Sequence, residues 1–214
     1  MQMNHDGMMN TVLFVVSAPS GAGKSSLLQA MLAADDRLSL SVSHTTRPAR
    51  PKEQSGTHYH FVDGATFERL RQQDHFIESA EVFGHYYGTS KEALQRQLRD
   101  NDVALEIDWQ GARAIRACFP DAITIFIAPP SLEALRDRLL QRAQDAPHVV
   151  RQRMRRAQSE LSHYHEYDYL LINEEFDMTL CDLQHILAAE RLRLTQQSTH
   201  PAAQQVQRML TKWM

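Results

Sequence analysis

The chain has 214 residues, 43% hydrophobic and 23% charged, the balance of an ordinary soluble globular protein with room for one domain or one domain bearing inserts. Its net charge of −3 provides no overall basic field for nucleic acid, and no apolar run approaches a bilayer span. Met1–Asn10 lacks the basic-then-apolar layout of a signal peptide, so the expected setting is cytoplasmic, with neither nucleic acid nor membrane as partner.

The apolar run Val12–Val16 predicts a buried strand over about 11–17. Ser17-Ala18-Pro19-Ser20-Gly21-Ala22-Gly23-Lys24-Ser25-Ser26 follows it, and Leu27–Leu32 then reads as helix. Strand, Gly-rich turn ending in Gly-Lys-Ser, and helix together make the context of a phosphate-binding loop. Successive backbone N–H groups over 18–26 form a nest for anionic oxygens, and the helix N-terminus adds its positive dipole end. Lys24 supplies a full charge for the β- and γ-phosphates of a nucleoside triphosphate, and the Ser25 hydroxyl suits Mg²⁺. Ala18 stands where the usual pattern opens with Gly, which a negative φ there would allow.

Residues 39–95 break the alternation of apolar strand and periodic helix. Short polar strand-like pieces, Leu40–Ser43 and His58–Val62, are punctuated by Pro48, Pro51, Gly56, Gly64, Gly84 and Gly88. We read an inserted mixed α/β subdomain there, with the core at about 11–38 and 101–195. In that core, 105–108, 123–127 and 169–172 read as strands, and 110–117, 132–142, 149–161 and 178–194 as helices. β-branched runs between helices argue for a doubly wound parallel α/β sheet, with ligands at the C-terminal strand ends. A second insert is expected at about 138–156, dense in Arg138, Arg142, Arg151, Arg153, Arg155 and Arg156. Of these, Arg155 and Arg156 read as a solvated basic face. In the polar tail 196–214, Val206, Met209, Leu210 and Trp213 fall at helical spacing. They would pack on the core or on a second copy, which leaves a homo-oligomer open. Cys118 and Cys181 read as buried free thiols, and the pairs His58/His60 and His163/His165 lack the partners of a metal site.

Thr45-Thr46-Arg47-Pro48-Ala49-Arg50-Pro51 offers a second phosphate site: two guanidinium forks three residues apart, stiffened by prolines. At this point the chain resembles the guanylate kinase family. The resemblance is carried by Ser43–Arg50, Gly56–Phe61, Phe76–Thr89, Glu106–Gly111, Ile127–Ser131 and Leu171–Glu175, in order, and spans about 11–193. It implies a P-loop nucleoside monophosphate kinase fold with an inserted GMP-binding subdomain and a helical lid. It also implies Mg²⁺-dependent phosphoryl transfer from ATP to GMP.

In that pattern Arg47, Arg50, Tyr59 and Tyr87 hold the GMP phosphate. Glu78 accepts from guanine N1–H and the 2-amino group, Ser43 donates to O6, and Thr89 closes the same stretch. Adenine presents the reverse donor and acceptor at that edge, so the site should reject it. Glu106 and Asp108 fall to the acceptor side, with Asp108 and Ser25 toward Mg²⁺; the family usually has Asp where Glu106 stands. Lys24, Arg138, Arg142 and Arg153 neutralise the transferring phosphoryl group, and Asn173 falls near the adenine base. Gln141 and Ala143 flank Arg142 where the family has glycines, which should stiffen the lid.

Two rivals share this pattern. One is a catalytically silent guanylate-kinase-like module that binds phosphorylated peptides; an intact Lys24, Ser25 and lid arginines argue against it. The other is a related kinase of a phosphorylated sugar, which would not need Ser43 and Glu78 at a guanine edge.

Overall fold

The computed structural model describes residues 11–51, 53–82, 84–142, 147–193 and 201–211; of these, the side chains at 141, 142, 147–150, 201, 202, 204 and 207 lie outside the description. The chain opens with β1 (Leu13–Ser17), α1 (Lys24–Ala34) and β2 (Leu38–Leu40). Next come β3 (His44–Thr45), β4 (His60–Phe61), α2 (Gly64–Gln72), β5 (Phe76–Val82), β6 (His85–Ser90) and α3 (Lys91–Gln97). It returns with β7 (Asp102–Glu106), α4 (Trp109–Cys118), β8 (Ile123–Ala128), α5 (Leu132–Arg142) and α6 (Pro147–Leu161). A single 3₁₀ turn, β9 (Tyr169–Ile172), α7 (Phe176–Glu190) and α8 (Pro201–Thr211) complete it.

Strands β2, β7, β1, β8 and β9 form one parallel sheet in that order. Every residue of β1 and β8 is buried, as a sheet covered on both faces requires. On one face Leu27, Leu28 and Met31 of α1 and Leu183 and Leu187 of α7 pack on Phe14, Val16 and Ile125. On the other, Leu94 of α3 and Ala112 and Ile115 of α4 pack on Val15, Val103 and Leu105. Leu27 is fully buried behind the phosphate loop; truncating such a leucine costs about 2–5 kcal/mol, a large share of a domain's net stability. The end of α7 is tied down by Asp102, which accepts from Val12 N at 2.8 Å and Arg191 Nε at 2.7 Å, while Arg191 also reaches Asp35 at 2.6 Å. With β1 central and β7 and β8 on either side, the crevice lies at the C-terminal end of β1.

The second sheet runs β4-β3-β6-β5 and is mixed: β3 pairs parallel with β4, and β6 pairs antiparallel with β3 and β5. Its outer side carries α2, capped by Asp63 accepting from Thr66 N at 2.6 Å. Phe67 of α2 stacks on Phe76 at 4.7 Å and on Tyr86 at 5.6 Å.

Several elements differ from the sequence reading. Residues 39 and 40, read as the start of the insert, instead continue the edge strand of the large sheet from Leu38, which buries and pairs with Asp102 while Ser39 tolerates an edge. The strand read at 105–108 ends at Glu106, since the Asp108 side chain turns back to cap α4. The last core helix ends at Glu190. Cys118 is exposed at the end of α4 and Cys181 half-buried, both free rather than buried. His163 stacks on Trp109 at 3.8 Å and pairs with Glu166 at 2.7 Å. Arg113 joins them and holds the Glu166 carboxyl down at about 2. The tail does form a helix, but Val206, Met209 and Leu210 are more than half exposed rather than docked on the core, and Trp213 lies outside the described residues. Among the described residues, no helix is long and apolar enough to cross a membrane.

Candidate active site

The phosphate loop bridges β1 and α1 with a turn closed by Ala22 N donating to Pro19 O at 3.0 Å. Gly21 and Gly23 take φ of +96° and +98°, a region open to glycine at little cost. Among the described residues Asp74 alone is a non-glycine with positive φ, so Ala18 fits its place without that strain. No side chain caps α1, which leaves its first N–H groups for an anion.

Three groups converge where β7 ends beside β1. Glu106 lies opposite Val16 in the ladder. Its Oε1 accepts from Ser25 Oγ at 2.5 Å and sits 4.0 Å from Lys24 Nζ, which donates to Ile107 O at 3.3 Å. Asp108, two residues on, accepts from Gln110 N and Gly111 N at 3.0 and 3.1 Å. Its other oxygen lies 3.7 Å from Arg156 Nη2. Arg156 also donates to Glu160 at 3.0 Å. Glu160 is buried; burial pushes its carboxyl up, while Arg156 and the charge of Lys24 pull it down. Arg156 is thus a member of this cluster and not a solvated face; the i,i+4 spacing to Glu160 carries that signal. Arg155 is exposed.

The small sheet presents the second cluster. Arg47 Nη1 donates to Pro48 O at 2.7 Å and Nη2 to Glu53 Oε1 at 2.8 Å. Its guanidinium lies over the rings of Tyr59 and Phe61 at 5.4 and 5.8 Å. Tyr59 and Tyr87 meet edge to face at 5.8 Å, and burial pushes the Tyr59 hydroxyl well above its ordinary pKa, with Glu106 adding to the shift. Arg50 keeps its side chain 68% exposed, while its backbone N–H donates to Glu53 Oε2 at 2.8 Å. Burial alone would raise the Glu53 carboxyl, but the Arg47 and Arg50 hydrogen bonds outweigh it and hold the group below its usual range. Sequence reasoning passed over Glu53, a lone acid in a basic Pro-rich stretch.

Glu78 sits on β5, 6% exposed, accepting from Thr89 Oγ1 at 2.6 Å. Burial pushes its carboxyl up to about 7; the Thr89 bond opposes this and the Asp108 charge adds to it. Ser43 is buried at the entry to β3, and its carbonyl accepts from His60 N at 2.9 Å.

On the other side of the loop, a cleft of about 350 Å³ is lined by Gly21, Gly23, Ser26, Arg138, Asn173 and Phe176, among others. The neighbouring α5 and α6 pack through Leu135, Leu139 and Ala157. Arg138 Nη2 donates to Asn173 O at 3.1 Å. Arg153 is half-buried on α6, and the Arg142 side chain and Ala143 lie outside the described residues. Phe176 is a member of this cleft that the sequence reading did not name.

A guanylate kinase family model matches residues 10–190. The guanylate kinase of Alkalilimnicola ehrlichii is 57% identical over 190 residues, covering 88% of this chain and 94% of that protein. That of Histophilus somni is 52% identical over 195 residues, covering 89% and 94%. A crystal structure of guanylate kinase from Anaplasma phagocytophilum superimposes with a TM-score of 0.71 at 36% identity, covering 86% of this chain and 87% of that one.

Proposed function

Since the chain belongs to the guanylate kinase family and is a nucleoside monophosphate kinase acting from ATP on GMP, we propose which residues hold each substrate. The observation that carries the assignment is the presence of two phosphate sites on adjoining sheets. One is the uncapped α1 terminus, where Lys24 lies 4.0 Å from Glu106; the other is the Arg47–Tyr59–Tyr87 clamp of the small sheet, which meets the core at Gly111, where a Cβ would stand 2.9 Å from Glu78 Oε2.

ATP enters the cleft by the loop. Backbone N–H groups of 18–26 cradle its phosphates, with Lys24 on the β- and γ-oxygens and Asn173 and Phe176 at the far wall. GMP occupies the small sheet, its phosphate between Arg47, Arg50, Tyr59 and Tyr87. Glu78, backed by Thr89, accepts from guanine N1–H and the 2-amino group, and Ser43 donates to O6. Two donors from guanine compensate a carboxylate that burial alone disfavours, and adenine offers no such pair. Ser25 Oγ and Glu106 Oε1, with Asp108 as the next carboxylate, fit a hard cation that keeps most of its ligands as water and phosphate oxygen. These residues would hold Mg²⁺, which when bound supplies positive charge against the phosphate oxygens.

Transfer then needs positioning and charge neutralisation more than covalent chemistry. Lys24 and Arg138, joined by Arg142 and Arg153 of the α5–α6 arm acting as lid, meet the charge that spreads over the equatorial oxygens. A coupled assay of ADP release with GMP, AMP, UMP and CMP tests the assignment. GMP alone should support fast turnover, and Glu78→Gln should weaken GMP far more than ATP. Equal rates with AMP, or equal losses for both substrates, would remove Glu78 and Ser43 from the guanine edge.

A further inference from the structure

We propose that Asn173 is a positioning residue that locks the phosphate loop and Arg138 into one frame, rather than a reader of the adenine base. The inference rests on the donor-site assignment above.

Asn173 follows β9, and its backbone N–H donates to Ala128 O at 2.8 Å, so the sheet fixes its main chain. It is 5% exposed, and its Nδ2 donates to Ala22 O at 2.7 Å in a buried bond. The Ala22 carbonyl and the Gly23 N–H share one rigid peptide plane and point opposite ways. Holding the carbonyl against Asn173 therefore holds the Gly23 N–H on the other side. Without that bond the plane is free to rotate and the nest loses a donor. The contact is close enough that a Cβ on Gly23 would stand 2.5 Å from Asn173 Nδ2. The same residue's carbonyl accepts from Arg138 Nη2 at 3.1 Å. Leu135 and Leu139, on the helix of Arg138, press on Gly21, where a Cβ would meet them at 3.1 and 3.2 Å. Loop, lid helix and sheet end thus meet at Asn173, and one N–H of its amide is committed to the loop.

The test compares wild type with Asn173→Ala and Asn173→Asp. The aspartate keeps the shape but sets an oxygen against the Ala22 carbonyl. Three quantities are read: transfer to GMP from ATP, transfer from ITP, and competition against ATP by inorganic tripolyphosphate, which has no base. In both variants kcat/KM should fall by about tenfold or more, the size expected when one buried hydrogen bond is broken. ATP and ITP should fall alike, with their ratio unchanged, and tripolyphosphate inhibition should weaken in step. Asn173→Ser, which buries no charge, stands in should the aspartate variant not fold. A collapsed preference for ATP over ITP with unchanged tripolyphosphate inhibition would overturn the inference, as would wild-type values throughout. A wild-type chain that fails to transfer from ATP would instead sink the donor-site assignment.

Discussion

Glu53 shows how one acid can set the geometry of a cationic clamp. It spends one oxygen on the Arg47 fork and the other on the Arg50 backbone N–H. Two arginines that would otherwise repel are held in register, and Arg47 is stiffened before GMP arrives. Its charge also subtracts from the attraction for phosphate, so the two effects oppose each other. The Arg47 and Glu53 side chains are only 15% and 14% exposed, a setting in which geometry is held firmly and charge-assisted bonds count for about 1.5–3 kcal/mol. Preorganisation should therefore win. Glu53→Gln should raise KM for GMP by about tenfold, or ~1.4 kcal/mol, while inhibition by guanosine, which lacks the phosphate, stays unchanged. Tighter GMP binding by the variant would show the carboxylate to be a competitor instead.

At the scale of elements, legibility followed burial. β1 and β8 were readable because their apolar runs lie in a sheet covered on both faces, β9 because its apolar run stands out even at the half-exposed sheet edge, and Leu132–Arg142 because its period is helical. Ser39 and Leu40 were misplaced because an edge strand of alternating Leu and Ser looks like any short polar piece. The Asp108 cap was hidden behind a strand ending two residues earlier, although Asp before Trp-Gln-Gly carries a capping signal. In the small sheet the family resemblance, more than periodicity, located the clamp, since its strands are as short as two residues. The back of that sheet holds a group no pattern announced. The His44 ring lies 4.7 Å from His60, 5.4 Å from His75 and 5.3 Å from Phe76, with Nδ1 buried and unpartnered. Burial, then the two neighbouring histidines, pushes its pKa down to about 4 from 6.5. The folded value lies below the unfolded one, so this stability is fully present above pH 6.5 and is lost as pH falls toward 4. The thermal midpoint should therefore drop between pH 7 and 5, and His44→Phe should flatten that drop. Parallel acid limbs for variant and wild type would exclude His44 as its source.

For the whole molecule, the junction of β7 and α4 is where the parts meet. Glu106 touches the phosphate loop through Ser25, Asp108 touches the α6 helix through Arg156, and Gly111 touches the acceptor sheet. A Cβ on Gly111 would stand 2.9 Å from Glu78 Oε2 and 3.2 Å from the Ile107 side chain. The seam between the two sheets is thus set by the absence of a side chain. Gly111→Ala pits two magnitudes against each other. Within a helix, Ala is favoured over Gly by about 1 kcal/mol, so α4 itself gains. The methyl, however, drives against a carboxylate that is 6% exposed and bonded to Thr89, leaving it little room to move. The fold should survive with an unchanged or slightly raised thermal midpoint, while the guanine pocket should not. KM for GMP is expected to rise by about tenfold, ~1.4 kcal/mol, with KM for ATP nearly constant and discrimination against AMP reduced. A variant that loses stability but keeps its GMP affinity would place the strain in the helix rather than at the seam.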